Sequence, residues 1–157
     1  AVYAVAPDGG VTRVVAGLAF PNGIMVTPDG TTLIVAETHT GLLRRYRLDA
    51  ERRYEEHAPL AMLRPAYGPS ADGHADAGPD GMAFGADGNL YVAHDNSGFV
   101  RVIAPDGALV ASLDAGGPTP TNVAFWRDSL YVTEGTGGSV YRLDIGVGEH
   151  APFMRSW

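Results

Sequence analysis

Cysteine is absent from the 157 residues, which removes disulfides and thiolate metal sites from consideration. It leaves the compartment open, because secreted and intracellular proteins alike do without it. Basic charge is scarce too: 11 Lys+Arg stand against 18 Asp+Glu, a formal net charge of −7. A polyphosphate partner needs a concentrated basic surface that releases counterions, so no nucleic acid is expected. The densest basic stretch, RRYRLDAERR at 44–53, is interrupted by Asp49 and Glu51 and reads as a solvated strand and turn. Long apolar runs are missing as well. Leu33 to Ala36 is typical of their length, against the ~20 residues a membrane-spanning helix requires, so neither a transmembrane segment nor a membrane partner is expected. The opening AVYAVAPDGG has no basic leader, no apolar core and no initiating Met; it reads as the interior of a domain and leaves localisation open. No Gly-x-Ser-x-Gly elbow and no phosphate loop occurs, which argues against an α/β serine hydrolase or a nucleotide enzyme.

What the chain has is glycine, proline and repetition. With 21 Gly, 11 Pro, 45% hydrophobic and 18% charged residues, the composition is globular. Three related segments follow one another: PNGIMVTPDGTTLIVAETHTGLLRRYRLD (21–49), PDGMAFGADGNLYVAHDNSGFVRVIAPDG (79–107) and PTNVAFWRDSLYVTEGTGGSVYRLDI (120–145). Leu33 to Leu90 is 57 positions and Leu90 to Leu130 is 40, giving a unit of roughly 40–45 residues with one insertion. Asp-Gly at 29–30, 87–88 and 106–107, with a Gly-rich turn at 135–138, marks tight hairpin turns. Between them, Leu-Ile-Val-Ala (33–36), Leu-Tyr-Val-Ala (90–93) and Leu-Tyr-Val-Thr (130–133) are short β-rich runs, and no segment sustains a helical period. The expected fold is all-β.

Units of this length are the signature of β-propeller blades. Residues 1–20 match the later part of a unit, so they are expected to end a preceding blade. The whole chain, 1–157, is then one partial propeller domain of about three and a half blades. Such an array is expected to be a truncated piece, to close by pairing with a second copy, or to protect its edges otherwise. Open blade edges would favour self-association.

Equivalent positions in a propeller converge on the axis at one end. Asn22 and Asp80 are equivalent, each preceded by Pro and followed by Gly, and the third unit offers Thr121 with Asn122 beside it. Two readings stand. Pro-Asn-Gly and Pro-Asp-Gly are strong turn signals. Alternatively, an amide oxygen and a carboxylate are hard donors suited to one divalent ion, Ca²⁺, Mg²⁺, Mn²⁺ or Zn²⁺. Glu37, His94 and Glu134 follow the second strand of successive units and read either as solvated loop ends or as groups at the pocket rim. His94, with Asp95, is a candidate for orienting substrate or moving a proton near neutral pH; His94, Thr121 and Asn122 are secondary pocket candidates. The insertion PAYGPSADGHADAGPD (65–80) runs into Asp80 and is expected to form a mobile lid rather than a second metal site. Its Asp72, His74 and Asp76 alternate but lack the complete calcium-loop set. His39, His57 and His150 are expected at the surface.

In order, FPNGIMVTPDGTTLIVAET, PDGMAFGADGNLYVA and PTNVAFWRDSLYVTE resemble the SMP-30/gluconolactonase/LRE-like family of six-bladed propeller hydrolases, over nearly the whole chain and corresponding to its C-terminal half or somewhat more. The resemblance implies a metal-dependent lactonase acting on sugar lactones or related esters. It implies Asn22 and Asp80 as two metal ligands, with Asp80 also serving as the catalytic base. The family's acidic ligand near its N-terminus has no counterpart here, so two ligands without the third are expected to hold an ion weakly, and whether this polypeptide is active or inactive on its own stays open. Two alternatives share parts of the pattern: a strictosidine-synthase-like propeller enzyme, suggested by NG followed by VAET, and a non-catalytic NHL- or YncE-like binding propeller. PDGMAF and PTNVAF favour the gluconolactonase side.

Overall fold

The computed structural model describes residues 1–49, 53–63 and 78–150. Most of the insertion, including Asp72, His74 and Asp76, lies outside the described residues. Among the described residues every regular element is a β-strand. The first two, β1 (Val2–Val5) and β2 (Val11–Val15), form an antiparallel hairpin. Next come β3 (Pro21–Val26), β4 (Thr32–Glu37), β5 (Leu42–Leu48) and β6 (Tyr54–Met62), paired in that order in a four-stranded antiparallel sheet. A second such sheet contains β7 (Gly78–Phe84), β8 (Leu90–Asp95), β9 (Phe99–Ile103) and β10 (Leu109–Asp114). The last sheet has three strands, β11 (Pro120–Trp126), β12 (Ser129–Glu134) and β13 (Ser139–Asp144). The first strands of the sheets are neighbours, with β3 and β11 both packed against β7. This is the side-by-side stacking of propeller blades.

The apolar runs follow from that stacking. A second strand lies between two neighbouring layers, so both of its faces must be apolar, and side chains alternate between them. From β8, Leu90 and Val92 join Ile34, Ala36, Leu43, Met82 and Ile103 between the first and second sheets. Tyr91 and Ala93 point the other way and meet Val100, Val123, Leu130 and Val132 between the second and third. In β4, Leu33 and Val35 pack with Tyr46 and with Val15 of the β1–β2 hairpin. The Asp-Gly turns are as expected: Gly30, Gly88 and Gly107 hold φ of 71°, 80° and 91°, each beside an Asp whose Oδ1 accepts a backbone N–H two residues on.

Pro-Asn-Gly and Pro-Asp-Gly are different, and the turn reading fails for them. Both triplets lie inside strands, at the start of β3 and of β7, where the pairing to β4 and β8 shifts register. Neither Gly23 nor Gly81 has a positive φ. They are glycine because the next inner strand occupies the space a side chain would need. A Cβ on Gly23 would sit 2.1 Å from the Asp80 carbonyl oxygen, and one on Gly81 would sit 2.0 Å from Asn122 Oδ1. Close approach of the inner strands is thus written into the residue after each candidate ligand.

Candidate functional site

Asn22 and Asp80 open adjacent inner strands and lie at the same end of them. A buried hydroxyl links their surroundings. Thr38, just past β4, donates its Oγ1–H to the Pro79 carbonyl at 2.8 Å, and Asn22 Nδ2 donates to Thr38 Oγ1 at 3.4 Å. The approach to Asn22 is also tied down. Thr38 N donates to the Phe20 carbonyl at 3.2 Å, and Phe20, in the left-handed region at φ 58°, stacks on His39 with ring centroids 4.7 Å apart. A left-handed conformation is unfavourable for so bulky a residue and persists only where its surroundings enforce it.

Asp80 is half-buried, and its carboxyl pKa is pushed up to about 6, chiefly by burial and then by the nearby Asp95 carboxylate, with the Gly81 N–H opposing. Burial also raises Asp95, against a hydrogen bond from Asn96 N–H. The two acids come from paired strands: Asp95 pairs with Gly78, two residues before Asp80, and Asp80 itself sits where the β7–β8 pairing shifts register. Among the described residues neither carboxylate forms an ion pair. Two acids and an amide oxygen at one strand end suit a hard cation in kind. They fall short in number, since calcium collects about 6–8 oxygens, and no group of three or more acidic or His side chains forms a metal cluster among the described residues.

The other candidates lie apart from these groups or are engaged locally. His94 pairs with Pro79 and points into the blade interior, where it is 1% exposed and its Nδ1 accepts from Arg101 Nε at 3.2 Å. Glu37 is its counterpart one blade earlier. Its Oε2 accepts from Thr40 Oγ1 (2.6 Å) and Arg44 Nε (2.9 Å), while its Oε1 receives the Ala19 N–H. Burial opposes its ionisation, yet these hydrogen bonds outweigh burial and lower its pKa. Glu134 closes the turn after β12 by accepting from the Thr119 hydroxyl and the N–H groups of Thr119, Thr136 and Gly137. These three groups hold blade ends together. Thr121 pairs its hydroxyl with Thr133 across β11 and β12 at 2.8 Å. Asn122 stands where the other inner strands have glycine, and its Oδ1 accepts from Val123 N at 2.9 Å beside Gly81. Thr38 is the group that residue-type patterns missed. Asp95 was named there only as the companion of His94, whereas in the structure it acts on Asp80.

A concavity of about 310 Å³ at the opposite end of the inner strands, lined by Met25, Val26, Phe84 and Phe125 together with Glu149 and His150, lies away from Asp80.

The family model described as SMP-30/Gluconolactonase/LRE-like region matches residues 1–136. The chain belongs to this family. It is 32% identical over 158 residues to the pentonolactonase XacC of Haloferax volcanii, covering 88% of this chain and 52% of that protein. With the diisopropyl-fluorophosphatase of Loligo vulgaris the identity is 31% over 150 residues, covering 91% and 45%. The structure of regucalcin from Agrobacterium tumefaciens, described as a calcium-binding protein, superposes with a TM-score of 0.75 at 27% identity, over 96% of this chain and 54% of that one. The chain thus spans about half the length of the curated relatives it matches. Its fold is the β-propeller of the SMP-30/gluconolactonase family, and no described helix is long and apolar enough to cross a membrane.

Proposed function

We propose that this SMP-30/gluconolactonase-family chain carries part of a lactone-opening site in which Asn22 and Asp80 hold one divalent cation and Asp80 handles the proton. The observation that carries the reading is the pair of hard oxygen donors on adjacent inner strands, beside an Asp80–Asp95 pair that raises the local negative charge. Relatives named pentonolactonase, lactonase and gluconolactonase support lactones as the substrate class. When bound, calcium, magnesium, manganese or zinc would polarise the lactone carbonyl and offset the charge that develops on its oxygen.

The chain's own groups would do the rest. Asn22 offers a neutral amide oxygen, which binds without adding charge. Asp80 would accept a proton as water adds to the carbonyl carbon and return it to the ring oxygen as the acyl C–O bond breaks. Lactone and water are consumed, a hydroxy acid is formed, and the base is regenerated. Asp95 keeps Asp80 basic. With few donors of its own, the chain is expected to bind Ca²⁺ no tighter than about 10⁻³ M.

The test is a calorimetric titration of the chelator-stripped chain with Ca²⁺, Mn²⁺ and Zn²⁺ beside Asp80→Asn, followed by a panel of pentono- and gluconolactones with acid release as the readout. One cation per site, lost in Asp80→Asn, with cation-dependent acid release from a lactone is the expected result. Cation binding that Asp80→Asn leaves intact would overturn the assignment, and no binding at several millimolar would mean that the chain forms no cation site.

A further inference from the structure

The Asn22 side chain has two chemically opposite ends, and only its oxygen can serve a cation. We infer that Thr38 is the positioning residue that decides which end is presented, through a hydrogen-bond relay of fixed polarity running from Asn22 through Thr38 to the Pro79 carbonyl. This inference rests on the cation site proposed above and adds a residue outside it.

The relay's direction follows from donor and acceptor chemistry. A carbonyl oxygen has no proton to give, so the 2.8 Å contact between Thr38 Oγ1 and Pro79 O uses the single hydroxyl proton of Thr38. What Thr38 then offers Asn22 is a lone pair. Only the Nδ2–H end of the amide can meet it, as it does at 3.4 Å, and Oδ1 is turned away from Thr38. Were the amide flipped, two acceptors would face each other at a residue that is only 7% exposed. The other end of the relay reaches Asp80, because Pro79 O belongs to the peptide group that carries the Asp80 nitrogen. One hydroxyl just past β4 therefore registers the leading residues of two blades against each other. Thr38 also holds the chain just before Asn22 through its own N–H to Phe20 O. Serine preserves this chemistry. Valine, of nearly the same shape, abolishes it.

The experiment compares wild type with Thr38→Val, Thr38→Ser and Asp80→Asn, following the Asn22 side-chain amide in ¹⁵N–¹H spectra, first without metal and then through titration with Ca²⁺ alone. In the metal-free spectra Thr38→Val is expected to move the Asn22 amide pair and to speed its exchange with water, with Thr38→Ser close to wild type. Thr38→Val is then expected to weaken Ca²⁺ binding by about 10-fold, the scale on which partners of metal ligands act, with serine restoring it. An Asn22 amide that is identical in wild type and Thr38→Val would overturn the relay, and so would Thr38→Val binding Ca²⁺ as well as wild type while Asp80→Asn does not bind. An amide that moves in Thr38→Val when wild type itself takes up no Ca²⁺ supports the relay and overturns the cation site instead.

Discussion

Asp80 shows how a single residue can work against the stability of its own fold. Its carboxyl is raised to about 6 from an unfolded-state value near 3.8, so the folded chain prefers it protonated. Linkage then fixes the sign: ionised Asp80 destabilises the fold above about pH 6, and the cost shrinks as pH falls through 6 towards 4. Asp80→Asn should stabilise the metal-free chain by roughly 1–2 kcal/mol at pH 7.5, solvent screening part of the penalty at a half-buried site. Thermal melts at pH 7.5 and pH 4 test this; an equal Tm difference at both would remove the carboxylate as its cause. Excess Ca²⁺ should raise the Tm of wild type and leave Asp80→Asn unmoved. At this scale Asn22 and Asp80 were legible as candidates from their equivalent places in the repeat. Thr38 was not, because a lone Thr after a strand has no distinguishing pattern until the Pro79 carbonyl from 41 positions away lies 2.8 Å from it.

Among elements, the inner strands carry the most information. Local turn statistics misread Pro-Asn-Gly and Pro-Asp-Gly because those statistics concern φ, whereas here the glycines answer to a neighbour. Gly23→Ala would drive a Cβ into the Asp80 carbonyl oxygen, which lies 2.1 Å from that position on backbone that cannot swing aside. A loss of about 1–3 kcal/mol is expected from such overpacking, together with displacement of Asp80. Gly148→Ala is the control, since its Cβ would meet nothing closer than 3.5 Å. Denaturant titration of both variants decides the matter, and equal midpoints would show that the inner strands do not pack this closely in solution. The second strands were easier to read. Leu-Ile-Val-Ala and Leu-Tyr-Val-Ala have no polar face, and a strand with no polar face belongs between two layers.

For the molecule as a whole, the two outer inner-strand faces are unequal to the one between them. Along β3, Ile24 and Val26 are 47% and 42% exposed, and on β11 Trp126 is 56% exposed, whereas β7 is covered from both sides. Contiguous apolar strand faces favour association. The apparent mass by light scattering should therefore rise with concentration across the micromolar range, and Ile24→Lys with Val26→Lys should lower it towards that of one chain. A constant single-chain mass for wild type would show that these faces tolerate water.

By itself the sequence determined the all-β class, the blade period and the hairpin turns, because alternation, repeat length and Asp-Gly chemistry act within a few residues of the chain. It also brought Asn22 and Asp80 forward, since equivalent positions in a repeat converge without any need to know distances. Only the tertiary structure decided that Gly23 makes room for backbone and that the Asp95 carboxylate acts on Asp80 while His94 is held by Arg101. It likewise decided that Thr38 joins two blades. Those outcomes depend on contacts between strands far apart in the chain, and the identity of a residue does not reveal what another strand will bring against it.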